Sequence, residues 1–496
     1  MMKKIIRIVA VGCLSVSMAC CVKVNNPQIT KELPPVFPDY CGVTVPVNIA
    51  PLNFGFADFE GNMHVSIQGN KGEALTATGS QSVRFNPAQW KNLLRENSGD
   101  SLLVTVSARA KNEQWVQYKP FTIYVSSIPV NEYLAYRLIA PGYEVYSKMG
   151  IYQRNLTSFR EEAILENTLI PSNCMNCHSF SRNDPEKMSL HIRGPLGGTI
   201  MKDGHSVQIF NTKTDSTLGN CVYPYWHPGG RYITYSVNTT LQVFHAIQNE
   251  RVEVVDLASD IVVLDTRTNR LLSCDLLKTN DFETFPSFSP DGKTLYFSSS
   301  AFKSIPQEYK EVRYNLCAIA FDPHSGTFGD KVDTLVNAAA IGKSISYGRP
   351  SPDGKYIMFT LSDYGNFSIW HKEANLWLLN LEDRALKELT DVNSPDVESY
   401  HSWSSEGFWF VFSSRRLDGL YTRLFLAGIS QDGTVSKPFL LPQKDPFTFY
   451  DASFFSYNVP EFLTGPVKWD VRKTYRALNK PKRKTLEYIG DQNLIQ

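Results

Sequence analysis

The sequence predicts a mainly β protein: a small N-terminal β-sandwich, a short helical segment carrying a Cys-X-X-Cys-His motif, and a C-terminal five- to six-bladed β-propeller. Three observations carry this expectation. Aromatic residues make up 12% of the 496 residues, and 30 glycines and 28 prolines punctuate them, a composition that favours strands and turns over helix bundles. Short runs of alternating apolar residues, separated by Gly, Asn and Asp, begin near Gly42. From about Ser206 a turn-and-strand pattern recurs at nearly constant spacing.

Taken in chain order, the first element is an export signal. Met1-Met2-Lys3-Lys4 precedes a run from Ile5 to Ala19 that is apolar apart from Arg7 and ends at Cys20-Cys21. A charged start, an apolar stretch and small residues before a break describe a secretory signal over residues 1–20. The run is too short for a convincing spanning helix. Ser17-Met18-Ala19-Cys20 resembles a loose bacterial lipobox, which implies acylation of Cys20 and a membrane contact through that lipid anchor only. The alternative is an ordinary cleaved signal that happens to contain cysteines. Residues following Cys20 lack the acidic stretch of surface-export signals in Bacteroidetes lipoproteins, so the expected location is the periplasmic side of the envelope.

Residues 21–41, with Pro27, Pro34, Pro35 and Pro38, read as an extended tether. The sandwich is expected over 42–128, from the runs Val43–Ala50, Met63–Ile67, Ser82–Phe85, Leu102–Ala108 and Trp115–Val125. An immunoglobulin-like label is a class guess, since no Cys–Trp–Cys framework is present. Over 129–205, Asn131–Ile139 and Phe159–Leu169 carry helical spacing, and Ser158-Phe159-Arg160-Glu161 fits a capping box. The tail, 467–496, contains the basic run Lys480-Pro481-Lys482-Arg483-Lys484, read as a solvated end.

The repeat occupies 206–466. Its centres are Trp226-His227-Pro228-Gly229-Gly230-Arg231, Phe288-Ser289-Pro290-Asp291-Gly292-Lys293, Ser351-Pro352-Asp353-Gly354-Lys355 and a degenerate Trp403-Ser404-Ser405-Glu406-Gly407. Glycines 230, 292, 354 and 407 lie 62, 62 and 53 residues apart. Three residues on stand Ile233, Leu295, Ile357 and Phe410, and five on stand Tyr235, Phe297, Phe359 and Phe412, which is a strand with one buried face entered through a tight turn. A fifth ribbon, Leu424–Ile429, precedes a decayed centre near Asp451–Tyr457. Strand sets at this spacing bury their faces only against neighbouring sets, as propeller blades do. The Ser-Pro-Asp-Gly-Lys centres resemble the PD40 (WD40-like) repeats of TolB-type propellers. That resemblance implies a fold, while function has to be argued from a site.

The segment that carries chemistry is Asn173-Cys174-Met175-Asn176-Cys177-His178. Two thiols three positions apart on a helical turn can both reach the vinyl groups of one haem, with the next residue placed under the iron. The expected cofactor is therefore one covalent haem c, attached through Cys174 and Cys177, with His178 as proximal ligand. His191 or Met188 is the candidate distal ligand, with Met201 and His205 also following the motif. Three other readings compete. A half zinc site needs a second Cys or His pair, and no second Cys-X-X-Cys exists. A thioredoxin-like pair wants a βαβ context. An incidental disulfide or free pair is the third. Cys41, Cys221, Cys274 and Cys317 are too scattered for a disulfide framework and read as core thiols.

Fifty Lys and Arg against 49 Asp and Glu leave a net charge of +1, which gives no field for nucleic acid. No Gly-X-Ser-X-Gly elbow, Gly-X-Gly-X-X-Gly or phosphate loop occurs, so hydrolase and nucleotide chemistry is disfavoured. Trp370-His371-Lys372-Glu373 and Tyr400-His401 occupy loop-like positions where a solvated surface is the ordinary explanation. The chain resembles haem-motif, TolB-like lipoproteins of Bacteroidetes. That resemblance sets no molecular role; the haem motif leads us to expect an electron carrier or haem-based ligand sensor, with no catalytic residues assigned, whose propeller docks an envelope protein or redox partner. The rival expectation is a haem-free TolB-like scaffold; a weaker one is a reductase with a second site on the propeller.

Overall fold

The structure is a computed structural model and describes residues 24–111, 113–140, 148–169, 173–245, 251–480 and 483–490. The signal segment and Cys20 lie outside the described residues. No helix among the described residues is long and apolar enough to cross a membrane.

The N-terminal part has two sheets. One is seven-stranded, built mainly from Gly61–Gly69, Leu75–Gly79, Ser101–Ala110 and Phe121–Ser126; the other is three-stranded, from Val36–Phe37, Phe54–Phe56 and Ser82–Val83. Met63–Ile67 and Leu102–Ala108 are strands throughout, because alternate residues such as Met63, Val65 and Ile67 are fully buried, while the other expected runs hold shorter strands, Thr44–Pro46, Ser82–Val83, Val116–Gln117 and Phe121–Ser126. A helix, Pro87–Glu96, was not expected. Asn86 caps it by accepting from Ala88 and Gln89, Pro87 opens it, and Trp90, Leu93 and Leu94 give it one buried face. The expected tether is overturned as well. Gln28–Ile29 and Val36–Phe37 pair with the two sheets, and Tyr40 is wholly buried. Proline suits such two-residue edge strands, where it interrupts little pairing.

Residues from 133 onward form antiparallel four-stranded meanders, six among the described residues. The helical reading of 129–205 is wrong. Tyr133–Ile139, Gly150–Asn155, Glu161–Glu166, Cys174–Phe180, Lys187–Arg193 and Gly198–Asp203 are all strands. Tyr133–Ile139 and Lys187–Arg193 are buried on both faces, so their apolar residues run together and imitate a helical stripe, whereas Glu161–Glu166 buries only Ile164 and Leu165. The meanders are 133–166 with 456–463, 174–211, 221–272, 282–336, 344–388 and 398–440. Their innermost strands are Ser456–Leu463, Cys174–Phe180, Cys221–Trp226, Phe282–Phe288, Ser344–Pro350 and Glu398–Trp403. Each packs against the next, and the circuit closes because Ser456–Leu463 touches both Glu398–Trp403 and Cys174–Phe180. This is a β-propeller. The closing meander joins the two ends of the chain: its inner strand pairs with Tyr133–Ile139, 319 positions earlier by Leu138↔Tyr457.

The repeat centres are the turns from inner to second strands. Gly230, Gly292, Gly354 and Gly407 sit at φ +68°, +73°, +74° and +74°, a conformation that costs a glycine nothing. In the Ser-Pro-Asp-Gly-Lys copies the serine hydroxyl holds the turn shut. Ser289 Oγ donates to Asp291 and accepts from the Thr294 amide at 3.0 Å, and Ser351 does the same with Asp353 and Tyr356. The expected solvated tail is also corrected. Lys484–Thr485 and Glu487–Ile489 add edge strands to the second and third meanders.

One hydrophobic core runs from the N-terminal sheets into the propeller. It includes Leu52, Phe54, Val65 and Trp90 together with Leu134, Tyr136, Trp409, Val411, Leu424 and Phe439. Hence the two parts pack as one body rather than as beads on a linker.

Candidate functional site

The chemistry-bearing residues meet at the propeller axis. Every inner strand carries one non-glycine residue in the left-handed region at the same position: Cys177, Tyr223, Phe285, Tyr347, Tyr400 and Val459, with φ between +49° and +56°. Strand register shifts at each of them, so each is a bulge. The bulge matters for the motif. In a regular strand residues three apart point to opposite faces, whereas here Cys174 and Cys177 both line one cavity of about 490 Å³. A strand bulge therefore does what a helical turn was expected to do.

The aligned bulges also explain the motif's neighbours. Tyr223, Phe285, Tyr347 and Tyr400 form a belt of ring-to-ring contacts, with centroids 4.5, 4.2 and 4.9 Å apart in sequence. Cys177-His178-Ser179-Phe180 occupies the place of Tyr400-His401-Ser402-Trp403 one blade beyond the closing strand. The aromatic at the end of the strand ties blades together: Trp226 donates to the Ser179 carbonyl and Trp403 to that of Arg349.

Cys174, Cys177 and His178 are 7%, 6% and 2% exposed. Burial raises the Cys174 thiol above its ordinary range and pushes His178 down to about 3. Neither ring nitrogen of His178 has a hydrogen-bond partner of good geometry; Nε2 stands 3.6 Å from Glu461 Oε1. A buried imidazole left this way is a costly arrangement, and an axial metal bond is one chemistry that would use it. His401, its counterpart, is better satisfied, with Nε2 at 2.8 Å from the Met358 carbonyl.

The expected distal ligands are not brought to the cavity. Met188 lies in the core between blades, and His191 pairs opposite Asn176 on the next strand with its Nδ1 3.1 Å from Thr199 Oγ1; neither lines the cavity. Met201 is likewise packed in a blade core, and His205 sits in an outer turn. Among the described residues no group of three or more His, Cys, Asp or Glu is placed to hold a metal ion. Cys221, Cys274 and Cys317 are buried, as expected for core residues, and Cys41 is half-buried.

Trp370, Tyr400 and His401, expected at a solvated surface, are buried and line the cavity. The signal that places them was present in the sequence: Tyr-His-Ser-Trp stands immediately before a repeat centre, where its relatives are Phe-Pro-Ser-Phe and Tyr-Pro-Tyr-Trp. A long hairpin, Tyr232–Phe244 and Val252–Asp265, brings Thr240, Gln242, Phe244, Val252 and Val254 to the cavity wall. It is fastened by buried acids. Asp256 accepts from Asn238, Tyr314 and Asn366 at 2.8, 3.0 and 2.6 Å, and Glu253 accepts from Tyr364 at 3.0 Å and faces His371 Nε2 at 3.2 Å.

These buried groups set a pH dependence. Burial pushes Glu461 up to about 8, Glu283 to about 7, and Asp256 and Asp260 to about 6. Each takes its proton in the folded chain while the unfolded chain is still ionised, so stability grows as pH falls through these values. Burial holds His191 and His401 near 3, whereas an unfolded histidine protonates below about 6.5, so stability is lost beneath that pH. The melting temperature of haem-free protein is expected to peak near pH 6 to 6.5. A melting temperature that climbs steadily to pH 9 would contradict the buried carboxyls.

No family model and no curated protein matches the sequence. Solved structures give distant likenesses. The periplasmic gluconolactonase of Pseudomonas aeruginosa is 12% identical, with 67% of this chain and all of that chain covered and a TM-score of 0.33. Prolyl oligopeptidase B of Galerina marginata is 10% identical over 68% of this chain, with a TM-score of 0.34. The GH74 enzyme of Niastella koreensis is 11% identical over 63% of this chain, with a TM-score of 0.39. This chain spans 42% and 46% of the last two. Likenesses this remote carry no argument about the site, and the fold rests on the strand order described above.

Proposed function

We propose that the chain is an exported, lipid-anchored c-type haem protein of the periplasmic side of the envelope, built as a small β-sandwich on a TolB-like, six-bladed propeller. In this reading Cys174 and Cys177 would hold one haem covalently and His178 would offer its imidazole. The observation that carries it is the bulge at Cys177, which brings both cysteines to the same cavity that His178 lines. The cavity is within the size range of cofactor sites. When bound there, the group would supply one-electron transfer or binding of a small gas. The chain's own residues would orient it and keep water away: the aromatic belt offers flat apolar faces, and the long hairpin covers part of the wall. An envelope protein or redox partner would dock on the propeller.

The test is a pyridine haemochrome spectrum of protein exported in a host with haem-attachment machinery. A c-type band is expected. In His178→Ala the covalent band is expected to persist while the native Soret and visible spectrum changes and carbon monoxide binding differs. An unchanged native spectrum would remove His178 from the iron.

A second reading is favoured by one observation. Cys177 fills a position that elsewhere in the ring is simply an aromatic or valine. If the wild type carries no haem, the thiols are ring-filling residues and the protein is an envelope scaffold.

A further inference from the structure

Two arginines at the propeller axis each keep a buried guanidinium N–H without an acceptor among the described residues. Arg415 is 3% exposed and lies against the Trp370 ring, and its Nε is buried without an acceptor among the described residues. Arg137 donates through Nη1 to the Asn176 amide oxygen, and its Nε is also buried and unpartnered. Arg349 rests on the Tyr225 ring and reaches only the Pro286 carbonyl, at 3.4 Å. All three line the cavity; Glu461 is the acid on its wall, and Asp396 and Asp418 lie within electrostatic reach of Arg415 from outside the lining. A buried guanidinium N–H without an acceptor is costly, and a fork of N–H donors matches a carboxylate.

The remaining lining fixes the class of ligand. The cavity, about 490 Å³, is far larger than an inorganic anion needs, and its walls include the faces of Tyr223, Tyr347, Tyr400 and Trp370. Tyr400 joins the two chemistries, since its hydroxyl lies within electrostatic reach of both Arg137 and Arg415.

We propose that this cavity binds a planar organic carboxylate, the carboxylate held by Arg415 and Arg137 and the flat body lying on the aromatic belt. The inference does not depend on the haem reading. The carboxylate belongs either to a porphyrin attached at Cys174 and Cys177 or to a free aromatic acid, and the two are separable.

The experiment is a calorimetric titration of the Cys174→Ala/Cys177→Ala chain with 2-naphthoate and with neutral 2-naphthamide. Naphthoate is expected to bind at least about tenfold more tightly than the amide. Arg415→Gln is expected to weaken naphthoate by roughly 30-fold and to leave the amide unchanged, with Arg415→Lys intermediate. Unfolding midpoints of the variants, together with retained amide binding, distinguish a lost contact from a lost fold. Equal affinity for acid and amide, binding of neither, or indifference to Arg415→Gln would overturn the proposal. Haem-loaded wild type then assigns the source: naphthoate excluded means that porphyrin carboxylates take the arginines, and naphthoate still bound means a free acid does. Wild type without haem fails the haem reading alone and leaves the titration of the haem-free chain to decide this one.

Discussion

Cys174→Ala/Cys177→Ala is expected to abolish the c-type haemochrome band completely, against an expected one haem per chain in the wild type. The reason is geometric. Both thiols line one cavity only because Cys177 takes a left-handed conformation, at φ +54°, and breaks the alternation of its strand. Each single substitution leaves one thiol within reach, so Cys174→Ala and Cys177→Ala are each expected to keep a fraction of covalent haem with a red-shifted band, as one vinyl group stays unsaturated. The structural cost of these changes is small, since Cys→Ala removes one sulfur from a wall rather than from a packed core. Intact folding of the double variant, checked by its unfolding midpoint, therefore accompanies total loss of haem. Covalent haem persisting in the double variant would place attachment elsewhere and sink the site.

The second large effect concerns the joint between the N-terminal sheets and the propeller. Trp409→Ala is expected to lower the stability of the whole chain by about 3–5 kcal/mol. Trp409 is wholly buried in the core shared by the two parts, and its Nε1 donates to the Ile128 carbonyl at 3.0 Å, at the seam between them. Its ring meets Phe408 and Phe439 edge-on, so truncation opens a cavity against two aromatic neighbours. Because the core is continuous, wild-type protein is expected to lose N-terminal and propeller structure in one denaturant transition, and the variant to show either a lower midpoint or two separated transitions. A loss below about 1 kcal/mol with a single unchanged transition would mean that the seam contributes little.

Much of the propeller was legible in the sequence, and the reason is local. A Ser-Pro-Asp-Gly-Lys turn satisfies its own hydrogen bonds through the serine and aspartate, so Ser289 and Ser351 mark the same turn wherever they occur. The alternation after each turn, as in Ile357 and Phe359, follows from the pleat alone. The first two meanders escaped for two physical reasons. In the closing meander no turn joins the inner strand to its neighbour, because Ser456–Leu463 and Tyr133–Ile139 come from opposite ends of the chain. In the next, Phe180 leads into Ser181-Arg182-Asn183-Asp184-Pro185, where Arg182 and Asn183 take the left-handed positions that glycine takes elsewhere. Strands buried on both faces then hid the period of two, and helices were expected instead.

The sequence by itself determined the pieces that depend on neighbours along the chain: the turns, the alternating strands, and the pairing of two thiols with a histidine in five residues. Only the tertiary structure decided what those thiols face. Six inner strands have to converge on one axis before their bulges form a ring, and only then does Cys177 share a wall with Tyr223, Tyr347, Tyr400 and Arg415 from three other blades. It also decided against Met188 and His191, which follow the motif closely but lie on the second strand of its blade, packed between sheets instead of facing the axis. Closeness in sequence sets which strand a residue joins; the side of the sheet it faces, and what stands opposite, are set by pleat and by closure of the ring.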